Sequence, residues 1–191
     1  AYFVGVVAGK ADWATLAWTL ALGVSNAIVM FTIPSIGAYA DARGAKKKLL
    51  AFATAGCVLG TLALSFVGPG DVALAVAAII VSNACYAWGE CLIASFLPEL
   101  ARRESLGTVS GWGWSFGYFG GMLALGASLA YVMSASAKGQ SAAQFVPVTM
   151  AITAGLYGLA CLVTFAWLRE RAVGVAPRAG WGDALARLRR T

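Results

Sequence analysis

Glu90 is the one ionisable side chain set well inside an apolar run of this chain. A charge at the middle of a lipid-spanning helix costs about 2.5–3.5 kcal/mol, so such a residue marks a candidate site for coupling to a proton, or for an ion pair with a cation such as Arg43. Asn26, Asn83 and Tyr86 lie at about the same depth, with Ser25 beside them. An asparagine in hydrocarbon must find a partner in protein or in a water-filled cavity. These residues, together with Tyr118, form a candidate pathway for a substrate or an ion; helix–helix hydrogen bonding without a ligand is the structural alternative. A second group is the charged turn carrying Gly37, Asp41, Arg43, Gly44, Lys46 and Lys47, which separates two long apolar runs. A third is the stripe Gly113, Gly117 and Gly121, with Gly120 adjacent, whose spacing permits another helix backbone to approach closely.

Other chemistries lack their residues. With no histidine, imidazole bases and histidine metal ligands are excluded. The four cysteines, Cys57, Cys85, Cys91 and Cys161, form no C-x-x-C pair and fall within apolar runs, where cysteine acts as a small hydrophobe. No phosphate-cradling loop, H-E-x-x-H, G-x-S-x-G or catalytic carboxylate pair is present, so neither an enzyme, a cofactor nor a metal is expected.

The elements that position these residues follow from hydropathy. Of 191 residues, 60% are hydrophobic and only 12% charged, half the charge of a soluble domain, and mean hydropathy is +0.78. Apolar stretches of about 20 residues span a bilayer. The expected spans are 13–40, 49–67, 72–97, 107–134 and 145–168, preceded by residues 1–9 as the end of a truncated helix. Residues 1–171 then form a transmembrane bundle and 172–191 a basic tail, read either as an in-plane interfacial helix bearing Trp181, Leu185 and Leu188 or as a solvated linker. The net charge of +6 is confined to short stretches beside the spans, which points to topology and lipid headgroups and not to nucleic acid. If the turn at Gly37–Lys48 is cytoplasmic, alternation puts twelve cations on that side and two, Lys10 and Lys138, on the other. That asymmetry is the positive-inside pattern.

The turn resembles the signature loop between the second and third helices of the major facilitator superfamily: glycine, three residues, aspartate, arginine, any residue, glycine, then basic residues. Gly37, Asp41, Gly44, Lys46 and Lys47 fall in place, whereas Ala42 stands at the arginine, with Arg43 one position later, and Ala45 at the first basic position. Ser95 to Leu100 followed by Gly107 to Gly121 is similar to the fourth-to-fifth-helix region of the vacuole-effluxer branch, whose fungal members export amino acids. Gly120 and Gly121 match the superfamily's antiporter motif, but Gly117 and Phe116 replace its proline and a glycine. The resemblance implies an all-α membrane protein: a six-helix half, first helix truncated, built as two three-helix inverted repeats. It further implies a secondary transporter of a small polar solute such as amino acids, working by alternating access. The partners would be a small-molecule substrate, the bilayer, and a missing C-terminal six-helix half, in a bacterial inner membrane with loop and tail cytoplasmic. Asp41, Arg43, Lys46 and Lys47 would be gating residues. A non-transporting scaffold or assembly subunit is the alternative.

Overall fold

The structure, a computed structural model, describes residues 2–168 and 170. The expected basic tail, 172–191, and Arg169 and Arg171 lie outside the described residues. The described chain is helical throughout. A short π-helical turn, Phe3–Val7, is followed by α1 (Ala14–Arg43), α2 (Lys46–Leu64), α3 (Val72–Ser95), the single turn α4 (Leu97–Leu100), a 3₁₀ turn Arg103–Ser105, α5 (Leu106–Ala137) and α6 (Ala142–Trp167). Five of these helices are long and apolar enough to cross a membrane. This is the all-α membrane bundle expected from hydropathy.

Local chemistry sets the breaks. Gly44 adopts the left-handed conformation, φ 55°, and its N–H closes on Ala40 O, a glycine cap that ends α1 and lets α2 start two residues later. α2 thus opens at Lys46, earlier than the expected 49, and takes the lysines into its first turn. At the other end of α2, Asp71 Oδ2 accepts the Gly68 N–H at 3.0 Å and Gly70 has φ 93°. α5 runs three residues past its expected end, and α6 begins at Ala142 with a capping box in which Ser141 and Gln144 satisfy each other's backbone N–H. Pro98 falls in the first turn of α4. Pro34 sits within a continuous α1.

α3 lies between α1 and α2, α6 packs on α2, and α5 packs mainly on α6. Large apolar side chains face outward on every span, among them Phe31, Phe52, Leu125 and Leu162, as expected where lipid and not water is the solvent. Buried apolar residues gather at the two ends. One cluster joins Phe3, Val7 and Ala14 to Val67, Ala75 and Ile79. The other joins Ala40, Leu50, Ala53, Leu92, Phe96 and Leu168. The start of the chain is tied to the first of these poles by the Gly70 N–H bond to Val7 O, 2.9 Å, and by Tyr2 Oη donating to Val67 O, 3.2 Å.

Candidate functional site

The charged turn is the centre of a junction that closes the second pole. Lys46 Nζ lies 3.1 Å from Asp41 Oδ1 and 3.0 Å from Glu99 Oε1, and donates to Ser95 O at 3.4 Å. All three ammonium hydrogens therefore have an acceptor. The Lys46 and Glu99 side chains are only 10% and 13% exposed, Asp41 68%. Glu170 accepts the backbone N–H groups of Lys46 at 2.7 Å and Lys47 at 3.3 Å, and Lys47 Nζ donates to Leu168 O at 2.6 Å. Four chain segments thereby meet at one point: the end of α1, the start of α2, the α3–α4 junction and the end of α6.

Electrostatics explains why carboxylates collect there. α2 opens with three consecutive lysines at the positive end of its own dipole, an unfavourable placement. Asp41, Glu99 and Glu170 supply the compensating charge, and Glu170 also satisfies two of the N–H groups that every helix start leaves unpaired. Arg43 takes a different route. Its guanidinium lies 4.8 Å above the Tyr39 ring and donates to Tyr39 Oη at 3.1 Å, so the ion pair with Glu90 considered from the sequence is not formed. Beside the junction, a cavity of about 160 Å³ between α1 and α3 is lined by Ile33, Ile36, Gly37, Ala40, Asp41 and Trp88, with Cys91, Leu92 and Ser95. Beyond its own chain neighbours and the local α1 backbone, no atom lies within 4 Å of where a Gly37 Cβ would stand.

The mid-span polar residues of α1 and α3 come together as a connected set. Asn83 Nδ2 donates to Ser25 Oγ at 3.0 Å and stands 3.5 Å from Asn26 Oδ1, while the fully buried Ser25 hydroxyl donates to Ile80 O at 3.2 Å. Trp88 Nε1 donates to Thr32 Oγ1 at 2.9 Å, a further tie between the same helices. Tyr86 Oη donates to Glu90 Oε1 at 3.2 Å. Asn83, Tyr86 and Glu90 are spaced by three and four residues and so share one face of α3; Tyr86 and Glu90 are exposed on it. Among the described residues Glu90 has no ion pair: those present join Lys46 to Asp41 and to Glu99.

Tyr118 does not join this set. It is exposed on α5, with its ring 6.2 Å from that of Trp114, and α5 has little contact with α1 or α3. Gly113, Gly117, Gly120 and Gly121 meet nothing within 4 Å of a built Cβ, so no described helix uses the stripe for the expected close crossing. The close approach occurs between α2 and α3, where a Cβ on Gly60 would stand 3.0 Å from Ser82 N. Sequence reasoning missed Glu99 and Glu170. Their signal was a carboxylate next to a span end on the lysine-rich side, but which lysine each meets depends on helix packing.

Among the described residues no group of histidine, cysteine, aspartate or glutamate is arranged to hold a metal ion. Comparison with known proteins gives one family: residues 3–187 match the family described as vacuole effluxer Atg22 like. No curated protein and no solved structure is matched.

Proposed function

Since the chain belongs to the vacuole effluxer Atg22-like family, we propose that it is the N-terminal half of a secondary transporter that moves amino acids across a membrane by alternating access. The observation that carries this reading is the family match over residues 3–187, nearly the whole chain. The bundle is of the type such a half requires: an all-helical set of spans with a polar face at mid-depth and a charged junction at one pole.

In this mechanism the two halves rock about a site near the membrane midplane. Asn26, Asn83, Tyr86 and Glu90 line this half's contribution to the pathway, and Tyr118 contributes from α5 when the second half is in place. The Asp41–Lys46–Glu99 contacts and the Glu170 cap hold the α2 start, and Gly37, Arg43, Gly44 and Lys47 complete the gate. The gate breaks and re-forms its outer contacts in each cycle, and the exposed Asp41 is the member able to exchange partners. The Gly113–Gly121 stripe accepts a helix outside the described residues. By the positive-inside rule the lysine-rich pole faces the cytoplasm, whether the membrane is vacuolar or bacterial.

The test is flux. The protein as its gene encodes it, reconstituted into liposomes, should release preloaded radiolabelled L-leucine faster than protein-free liposomes carrying the same load. Absence of amino-acid flux with correctly inserted protein would support a scaffold role instead.

A further inference from the structure

We propose that Glu90, with the Tyr86 ring beside it, is the seat of the substrate's ammonium group, and that this half of the pathway recognises the cationic end of an amino acid and not its carboxylate. The inference rests on the transport reading and specifies its substrate chemistry. It starts from an imbalance of charge. Glu90 lies inside the α3 span, exposed on the face shared with Asn83 and Tyr86, where an unneutralised carboxylate is costly.

The cations at that end of the bundle whose side chains are in contact, Lys46, Arg43 and Lys47, are engaged elsewhere. Lys46 meets α3 at Ser95, five residues past Glu90 and about 7.5 Å further along the axis, but its three hydrogens are committed to Asp41, Glu99 and Ser95 O. Arg43 is stacked on Tyr39, and Lys47 donates to Leu168 O. Among the described residues, the polar group that meets Glu90 is the Tyr86 hydroxyl, donating to Oε1 at 3.2 Å. That bond leaves most of the carboxylate's acceptor capacity unused.

An ammonium group fits this arrangement for two independent reasons. It supplies the missing positive charge and N–H donors to the carboxylate, making a charge-assisted hydrogen bond. It is also attracted by the face of an aromatic ring, and Tyr86 is 47% exposed one helical turn from Glu90. The remainder of the polar face, Asn83 and Asn26, is uncharged and has its amides partly engaged with each other and with Ser25. It can accept the neutral parts of a small polar solute, and it offers nothing cationic to hold a carboxylate.

The experiment uses the reconstituted full-length protein and two half-analogues of leucine as competitors of L-leucine efflux: isopentylamine, which keeps the ammonium, and 4-methylpentanoate, which keeps the carboxylate. The expected result is competition by the amine and none by the acid at about tenfold higher concentration, a difference of about 1.4 kcal/mol in affinity. Glu90→Gln should raise the half-saturating leucine concentration about tenfold or more and abolish competition by the amine, while Glu90→Asp keeps the ranking. Melting temperatures of the variants in detergent check folding, and isopentylamine quenching of tryptophan fluorescence reads binding without flux. Competition by the acid equal to that by the amine, or amine competition that survives Glu90→Gln, overturns the assignment while leaving leucine transport standing. If Glu90→Gln removes only the drive from a pH gradient and leaves amine competition intact, Glu90 is a proton site and the assignment fails. Failure of the unaltered protein to move leucine at all overturns both the transport reading and the inference.

Discussion

Asp41 and Glu99 share one lysine, yet their removal should have different consequences, and burial decides which. The Lys46–Glu99 pair is 3.0 Å apart with both side chains nearly covered. At an effective dielectric of about 20, its Coulomb attraction is about 5.5 kcal/mol before desolvation is counted. Breaking a pair this well covered costs about 3 kcal/mol. The Lys46–Asp41 pair is equally short, 3.1 Å, but Asp41 is 68% exposed, and solvent-screened pairs contribute about 0–1 kcal/mol. Lys46→Met should therefore destabilise the bundle by about 3 kcal/mol, or roughly 6–12 °C in melting temperature for a chain of this size. Asp41→Asn should shift it by less than about 1 kcal/mol. The assay is thermal unfolding of the detergent-solubilised protein followed by tryptophan fluorescence, alongside leucine efflux from liposomes. Asp41→Asn should abolish efflux with insertion and melting nearly unchanged, as expected for a gate residue that changes partners. The reasoning fails if Asp41→Asn melts as early as Lys46→Met, or if Asp41→Asn leaves efflux kinetics as they were.

Three further outcomes follow from single contacts. Glu170→Ala removes the acceptor of the Lys46 and Lys47 N–H groups; it should cost about 1 kcal/mol and be visible as faster hydrogen exchange at those two amides. Gly60→Ala pushes a methyl group to 3.0 Å from the Ser82 backbone and should destabilise the α2–α3 contact by about 1–3 kcal/mol, whereas Gly117→Ala, with open space around it, should be neutral or stabilise the isolated chain by about 0.5–1 kcal/mol, both read from melting curves. Trp88→Phe keeps the ring but loses the 2.9 Å bond to Thr32, a loss of about 1 kcal/mol measurable in the same way.

The spans were legible in the sequence because hydrocarbon demands about 20 consecutive apolar residues per crossing, a condition that each helix meets from its own composition. The common pole of the turns was legible for a similar reason: the lysines and arginines count up on alternate loops, and the contacts of Lys46 with Glu99 and of Lys47 with Leu168 put those loops side by side. Helix ends were less so. α6 begins three residues before its expected start, at the Ser141–Gln144 capping box, and α2 begins within its lysines, where Glu170, more than 120 residues away in the chain, accepts their N–H groups.

Residue type and spacing determined by themselves that the chain is an all-helical membrane protein, and they marked Glu90, Asn26, Asn83 and the charged turn as candidates for chemistry. Tertiary structure alone decided that Lys46 pairs with both Asp41 and Glu99, that Arg43 turns to Tyr39 and leaves Glu90 without a described cation, and that the close helix approach uses Gly60 and not the stripe on α5. The division has a physical cause. Transfer into lipid depends on each segment's own composition, whereas ion pairing and backbone contact depend on which faces of separate helices meet, and these helices are apolar all round, so no hydrophobic stripe in the sequence announces the buried face.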